Sequence, residues 1–425
     1  MSRSSKLVWP ISFALVLAAA AAGWWLLAGT PDGKTARLEH LVIVSIDTLR
    51  ADHLGCYGST EVRTPRLDAL AAEGLLFEHH ITAASTTLAS HTALMTGTHP
   101  HTHGVPRNGF VVAPENELLA ELLAEAGFVT AGFAGAKPLA SDTAFHQGFA
   151  HYDDDLGETE SGRSRSQRDG RRVNEALFDW LGDQDLADDA APIYAFVHYF
   201  DVHAPYRPPR EYREMYGIEG DLGRRGSMRH LREVRRLFRK DKPAAVTESR
   251  VLKQLYKGGV TYADHLVGEL VDELASLGIL DQTLLVVTSD HGEEMDEHDE
   301  EHWNHGYTVY DNAVRVPLVI RPPGGVPGGR RVERLVSNVD VFPTVLELFD
   351  LAPRPVEGES FAPIVRGETM PPRDPVFSEG TKPWNDYAPH GWTNDTVEKG
   401  VRSLEYKYVH NPGKHRRRLH DRSEE

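Results

Sequence analysis

Short apolar runs alternate with helical stretches along most of this chain. Leu41-Val42-Ile43-Val44-Ser45-Ile46 and Thr283-Leu284-Leu285-Val286-Val287-Thr288-Ser289 are β-branched and almost uninterrupted, as strands buried on both faces of a parallel sheet are. Ile193-Tyr194-Ala195-Phe196-Val197 and Val316-Pro317-Leu318-Val319-Ile320 are further runs of this kind. Between them, helical patterning predicts helices over residues 66–72, 118–126, 173–181 and 266–277. Strand and helix in alternation imply an α/β fold, a mostly parallel sheet sandwiched by helices, over residues 41–370.

Two segments interrupt the alternation. Residues 161–172 are polar and Arg-rich and read as a solvated loop. Residues 207–242 are basic and contain Met228-Arg229-His230-Leu231-Arg232-Glu233-Val234-Arg235-Arg236-Leu237-Phe238, which has helical spacing. This reads as an inserted surface helix, either simply solvated or serving as a lid for an anionic substrate. Pro371-Pro372 marks a boundary, and 371–425 reads as a short C-terminal α+β subdomain with one strand-like piece at Tyr406-Lys407-Tyr408-Val409.

The first 29 residues follow another logic. Arg3 and Lys6 precede an uncharged stretch from Leu7 to Ala28, close to the roughly 20 residues that cross a bilayer. Positive charge ahead of it predicts a cytoplasmic N-terminus, a single-pass anchor and a catalytic domain outside the cytoplasm, periplasmic or extracellular. A cleaved signal segment is the alternative, but Trp24-Trp25-Leu26-Leu27 prolongs the apolar run and favours an anchor. Residues 30–40 form a polar linker.

Composition narrows the function. A formal net charge of −17 over 425 residues argues against nucleic acid as a partner, since phosphate binding needs a basic face. The single cysteine, Cys56, excludes an intrachain disulfide and any Cys-rich zinc site.

Candidate chemistry gathers where such a fold builds its site, beyond the carboxyl ends of the strands. Asp47 and the pair Asp290–His291 each directly follow a buried-type run, and a threonine-rich turn carrying Thr87 lies between them in sequence. Either aspartate alone would serve equally well as a cap for the next helix. Together with His291 and Thr87 they point to a metal-centred site.

The segment Ser85-Thr86-Thr87-Leu88-Ala89-Ser90-His91-Thr92-Ala93-Leu94-Met95-Thr96-Gly97, followed by Pro100, His103 and Gly104, resembles the sulfatase signature Cys/Ser-x-Pro-Ser-Arg-x-x-x-Leu-Thr-Gly. Ile46-Asp47-Thr48-Leu49-Arg50-Ala51-Asp52, Thr288-Ser289-Asp290-His291-Gly292-Glu293, His305-Gly306, Val314-Arg315-Val316-Pro317 and Asp340-Val341-Phe342-Pro343-Thr344 resemble other motifs of that family, in order. The chain is similar to sulfatases and, more broadly, to the alkaline phosphatase superfamily, and the similarity covers about residues 40–370. The resemblance implies a nucleophile at Thr87 on a divalent metal held by Asp47, Thr87, Asp290 and His291. It also implies that His203 and His305 face the transferred group, where either could protonate the leaving oxygen. His91, in the arginine position of the signature, completes the candidate catalytic set. Elementary chemistry agrees, because a hydroxyl at a helix start meets unpaired N–H groups and the positive end of the dipole, and a cation lowers its pKa further.

Departures from the family pattern sharpen the expectation. Threonine oxidises to a ketone, so formylglycine, the aldehyde that sulfatases make from the signature Cys or Ser, is out of reach. An unmodified Thr87 would form an ordinary ester that water must cleave, and phosphorus accepts that attack readily. Threonine nucleophiles occur in the superfamily's nucleotide phosphodiesterases and in phosphoethanolamine and phosphoglycerol transferases. The expectation is therefore a hydrolase of sulfate- or phosphate-type esters on a glycan, lipid or small molecule. An envelope transferase and a non-catalytic binding paralogue are the alternatives. Thr48 replaces a usual second aspartate and His291 replaces a frequent asparagine, which favours one zinc or manganese ion, with calcium or magnesium also allowed. Further ligands for a second ion would be Asp201, His203 or His305. Ala134-Gly135 stands where the family has Gly-Lys, and Lys137 follows two residues late. Arg418-Leu419-His420-Asp421 resembles the Leu-Tyr-Asp-Leu near the end of the family's C-terminal subdomain.

Overall fold

Alternate residues of the central strand serve two different cores. In strand β1 (His40–Ile46), Val42, Val44 and Ile46 join one hydrophobic cluster, while Leu41 and Ile43 join the other. The same alternation runs through β6 (Ile193–Tyr199) and β7 (Thr283–Thr288), which flank β1 in parallel register. A strand with both faces covered has no polar side, which is why these runs read as continuously apolar. Each aliphatic side chain so buried contributes about 1.5–3 kcal/mol.

The computed structural model describes residues 38–157, 167–187, 190–298, 303–373, 375–381, 398–412 and 415–421. The remaining strands are β2 (Leu75–Phe77), β3 (His80–Ile81), β4 (Val129–Phe133), β5 (His151–Asp153), β8 (Leu318–Arg321), β9 (Arg330–Val332) and β10 (Val336–Ser337). They are followed by β11 (Val376–Gly380), β12 (Glu398–Arg402), β13 (Tyr406–Asn411) and β14 (Arg416–Asp421). The main sheet has the order β5-β4-β6-β1-β7-β8-β2-β9. It is mostly parallel, and β8 alone opposes its neighbours β7 and β2. Helices Pro65–Ala72, Gly170–Gly182 and Lys242–Ser276 cover one face, and Thr87–Thr96, Leu119–Glu125 and Val341–Leu348 cover the other.

The strands β11 to β14 form a separate four-stranded antiparallel sheet. It is stitched to the main body just upstream of Thr87. Glu379 N donates to Ala83 O at 2.8 Å, Ser85 N donates to Glu379 O at 3.3 Å, and Ser378 Oγ donates to Thr82 O at 2.6 Å.

Three expectations are corrected. The helix expected over 266–277 runs from Lys242 to Ser276, capped by Asp241, whose side chain accepts from Ala244 N. Its Gly258 and Gly259 each cost about 1 kcal/mol of helix propensity, but a Cβ on Gly259 would stand 2.8 Å from Asp201 O. The close passage of the 201–213 segment requires them. The basic insert is not a free solvated helix: Met228–Phe238 forms as expected, but it buries His230, Leu231 and Val234 and joins the same core as the long helix. Arg235 donates to Trp303 O. Within the polar 161–172 stretch, Gln167 and Arg168 are buried, Arg168 pairs with Asp153 at 3.0 Å, and a helix already begins at Gly170.

The expected anchor at 1–29 and most of the linker at 30–40 lie outside the described residues. Among the described residues, no helix is long and apolar enough to cross a membrane.

Candidate active site

Three loops leave the carboxyl ends of β1, β6 and β7 together, because those strands are neighbours in the sheet. The loop after β1 is tied to the end of β6 and to the loop after β7. Asp47 N donates to Tyr199 O at 2.8 Å, Thr48 N to Asp290 Oδ1 at 3.2 Å, and Leu49 N to Ser289 Oγ at 3.0 Å. Thr48 stands at φ 58°, a left-handed conformation that a β-branched residue rarely adopts. Tyr256 Oη holds it there by donating to Thr48 O at 2.7 Å. The strain, about 1–3 kcal/mol, turns the chain so that Asp47 and Asp290 converge.

Thr87 opens the helix Thr87–Thr96, all ten residues of which are buried. Local bonds define its ends: Leu88 N donates to Asn108 Oδ1 at 2.7 Å, and Gly97, at φ 68°, donates back to Ala93 O at 3.0 Å. The Thr87 hydroxyl is directed at the converging loops. Its Oγ1 lies 3.3 Å from Asp47 Oδ2, 3.4 Å from His291 Nε2 and 3.5 Å from Asn108 Nδ2. His291 Nε2 is 3.3 Å from Asp290 Oδ2. His291 Nδ1 donates to Gly292 O at 2.9 Å, which turns the Nε2 lone pair inward.

These residues fit a divalent cation. Asp47 Oδ1 and Asp290 Oδ2 are buried with no hydrogen-bond partner among the described residues. Burial and the adjacent Asp290 push the Asp47 carboxyl well above its usual range, so the pair demands a proton or a cation between them. Bonds of about 2.1 Å at tetrahedral angles place donor atoms about 3.4 Å apart, which matches the separations around Thr87. Asp47, Asp290 and His291 present their ligand atoms within 4.8 Å of one another.

The other predicted histidines divide. His305 packs on His291 with ring centroids 4.5 Å apart, and His203 packs on His305 at 5.0 Å. His203 Nδ1 donates to Ala204 O at 2.5 Å. Desolvation pushes this ring down to about 3, so it stands neutral with Nε2 as an acceptor. His91 is placed differently: Nδ1 bonds Thr87 O at 2.7 Å and Nε2 bonds Ser45 Oγ at 2.8 Å. Both nitrogens are used to clamp the first turn of the helix to β1, so His91 braces Thr87 from beneath. Lys137 does not fill the missing lysine position, for it pairs with Asp142 on the surface at 2.5 Å. Asp201, named above as a ligand for a second ion, is packed against Gly170 and Gly259 instead. His99 and His101 stack on each other, and His101 pairs with Glu379, in keeping with a structural role.

Sequence reasoning missed two contributors: Asn108 and the role of Glu293. Glu293 is fully buried, accepts from Tyr206 Oη at 2.8 Å and meets His305 Nδ1 at 3.2 Å. Burial works against its charge, but His305 and Tyr206 outweigh that and hold the carboxylate down to about 2. An acid with a lowered folded pKa stabilises the fold above its unfolded value, near 4.5, and that contribution disappears as pH falls toward 2. Glu293→Gln should therefore lose on the order of 3 kcal/mol at pH 6 and much less at pH 3. Urea unfolding at the two pH values checks this, and an equal loss at both would contradict it.

A mostly parallel α/β sheet that brings paired carboxylates, an imidazole and a buried hydroxyl to one edge defines an ester hydrolase of the alkaline-phosphatase-like class. The chain belongs to the sulfatase family: the model described as Sulfatase matches residues 39–351, and that described as N-sulphoglucosamine sulphohydrolase, C-terminal, matches 299–424. An arylsulfatase of Clostridium perfringens is 24% identical over 80% of this chain and 81% of its own length. Among solved structures, the phosphonate monoester hydrolase of Agrobacterium radiobacter superposes with a TM-score of 0.71 at 24% identity, over 91% of this chain and 90% of that one. A protein solved with its substrate D-glucosamine-2-N,6-O-disulfate superposes with a TM-score of 0.73 at 18% identity, over 91% and 92%. The chain is thus a sulfatase-family hydrolase.

Proposed function

We propose that this protein cleaves a sulfate- or phosphate-type ester through a covalent intermediate on Thr87. The observation that carries the reading is the position of Thr87 Oγ1, at a helix start and within 3.4 Å of both Asp47 and His291. A divalent ion held by Asp47, Thr87, Asp290 and His291 would supply Lewis acidity, favouring the Thr87 alkoxide and neutralising the oxygens of the anionic group. The imidazole among the donors favours zinc or manganese over calcium.

The residues themselves divide the remaining work. His305, oriented by Glu293, donates to the departing oxygen. His203, neutral with Nε2 open, accepts a proton from the water that later cleaves the Thr87 ester. His91 and Asn108 fix the first turn of the helix. Because Thr87 cannot become formylglycine, the chemistry open to it is substitution by water, which favours a phosphoryl group. The family relationship favours sulfate, and the two solved relatives above carry one chemistry each in their names. A panel of 4-nitrophenyl sulfate, phosphate, phosphodiester and phosphonate ester, assayed with Zn, Mn and Ca in turn, tests the reading. Turnover on at least one member is expected; no turnover on any, with cation binding intact, would contradict it. Turnover that appears only with an added lipid or sugar acceptor would identify a transferase.

We also infer that the uncharged stretch from Leu7 to Ala28 anchors the protein in the cell membrane, with the catalytic domain outside the cytoplasm. Retention in the membrane fraction after alkaline carbonate washing tests this, and complete release would contradict it.

A further inference from the structure

Strand β13 alternates exposed Tyr406 and Tyr408 with buried Lys407 and Val409. Val409 joins a small apolar cluster with Val309 and Val314, so Lys407 is on the face that packs against the main body. Its register partner there is Arg402 on β12, and the two are only 4% and 3% exposed. Like charges directly opposite on a sheet repel, more so when burial removes water from between them. Both reach one carboxylate: Arg402 Nη1 is 2.9 Å and Lys407 Nζ 2.8 Å from Asp311 Oδ1. One negative charge answers two positive ones.

A cavity of about 620 Å³ opens beside this pair, between the sheet and the main body. Its other carboxylates are already engaged, for Asp52 and Glu297 pair with Arg50 at 2.7 and 2.5 Å. Arg315, also in the wall, is left over. Its Nε and Nη2 donate to Glu78 O at 3.2 and 3.1 Å, and no carboxylate pairs with it among the described residues. Arg50, Arg315, Arg402 and Lys407 thus face only Asp52, Glu297 and Asp311, in a chain whose overall charge is −17. Burial holds the His298 imidazole in the same wall below its usual range; Glu297 opposes this, while Arg418, Arg50 and Lys407 add to it. Asn312 Oδ1 and His420 Nε2, which also belong to the wall, are buried with no hydrogen-bond partner among the described residues, an unfavourable state unless something fills the space. Glu293 separates this cavity from the Thr87 site: its carboxylate meets His305, while its backbone carbonyl accepts from Arg50 Nη1 at 3.2 Å.

We propose that this cavity is a second anion site, taking one sulfate, phosphate or carboxylate group against Arg315 and Lys407. A guanidinium fork matches the paired oxygens of such groups, and the added negative charge offsets the repulsion between Arg402 and Lys407. The space has the size of a small-molecule site, so the group can arrive as a free ion or on a sugar, whose hydroxyls then meet Asn312 Oδ1 and His420 Nε2. The site is distinct from the Thr87 centre and does not depend on the chemistry proposed there.

Anomalous scattering from full-chain crystals soaked in selenate locates the anion without any variant. The expected result is a selenium peak in the cavity, with selenate oxygens about 2.8 Å from the Arg315 nitrogens. Selenate found only beside Thr87, or nowhere, would overturn the proposal. In solution, hydrogen exchange of the peptide spanning β12 and β13 reads the cavity alone, and added inorganic sulfate should slow it. Arg315→Gln and Lys407→Met should each raise the half-saturating sulfate concentration at least about tenfold. Lys407→Met leaves Arg402 on Asp311, which protects folding, and thermal melts of both variants record it. Half-saturation equal to wild type in both variants would mean binding at crystal concentration only and would also overturn the proposal. Repeating the titration with glucose 6-sulfate in Thr87→Ala protein, which cannot consume it, names the source: tighter binding than sulfate supports a sugar-borne group, and equal binding supports a free ion.

Discussion

Thr87→Ala is expected to lower kcat by on the order of 10^4-fold while the protein stays folded and still binds its cation. The reasoning is geometric. Thr87 Oγ1 makes only long contacts, 3.3 to 3.5 Å, to Asp47, His291 and Asn108, so removing it costs little stability, under about 1 kcal/mol. It removes the only atom in the account that bonds to the substrate. Alanine at the first position of a helix whose ends are set by Asn108 and Gly97 leaves the backbone unchanged. Thr87→Ser keeps the oxygen and should retain activity within about tenfold, the loss reflecting one buried methyl group. Steady-state rates beside thermal melts of the three proteins check both statements. A Thr87→Ala protein that turned over at wild-type rate would mean that another group attacks.

The second large effect concerns Asp47 and reverses sign with metal. In wild-type protein, saturating cation at a thousandfold excess over its Kd should raise stability by about 4 kcal/mol. Asp47→Asn removes one carboxylate from that centre, so most of this increment should vanish. Without metal the same substitution should stabilise, because it ends the burial of a carboxylate charge and its repulsion with Asp290. The pH dependence follows from the direction of the Asp47 shift. Its folded carboxyl holds a proton more tightly than the unfolded one does, so metal-free wild-type stability declines as pH rises from near 4 toward the folded value. Asp47→Asn should flatten that decline. Chemical unfolding with and without zinc, at pH 4 and pH 7, reads all three effects. A metal-free variant less stable than wild type at pH 7 would show that the two aspartates are not the crowded pair described here.

Those effects also show which features were readable from the amino-acid order. Asp47, Asp290 and His291 were legible because the buried strands β1 and β7 carry no carboxylate until they end, and the first one after each lies at the binding edge. Thr87 was legible through its motif, and its place at the helix start followed. Glu293 lay within a recognised motif, yet its bonds to His305 and Tyr206 depend on loops far apart in sequence.

His91 shows the opposite case. Its position in the motif suggested a group facing the substrate, but histidine is shorter than arginine and finds two partners close at hand, Thr87 O and Ser45 Oγ. The helix Lys242–Ser276 was underread because Gly258-Gly259 and the charged residues before them interrupt its apolar period. Only the close passage of Asp201 explains why glycine is needed there. Local pattern cannot anticipate a contact of that kind, for tertiary packing overrides propensity.

Mass spectrometry of the peptide containing Thr87, from protein quenched during turnover of its best substrate, addresses the core of the account most directly. The expected result is a phosphoryl or sulfo group on Thr87 that appears with substrate and is lost when substrate is exhausted. An unmodified Thr87 peptide through a rapid product burst, or the label on a different residue, would contradict it.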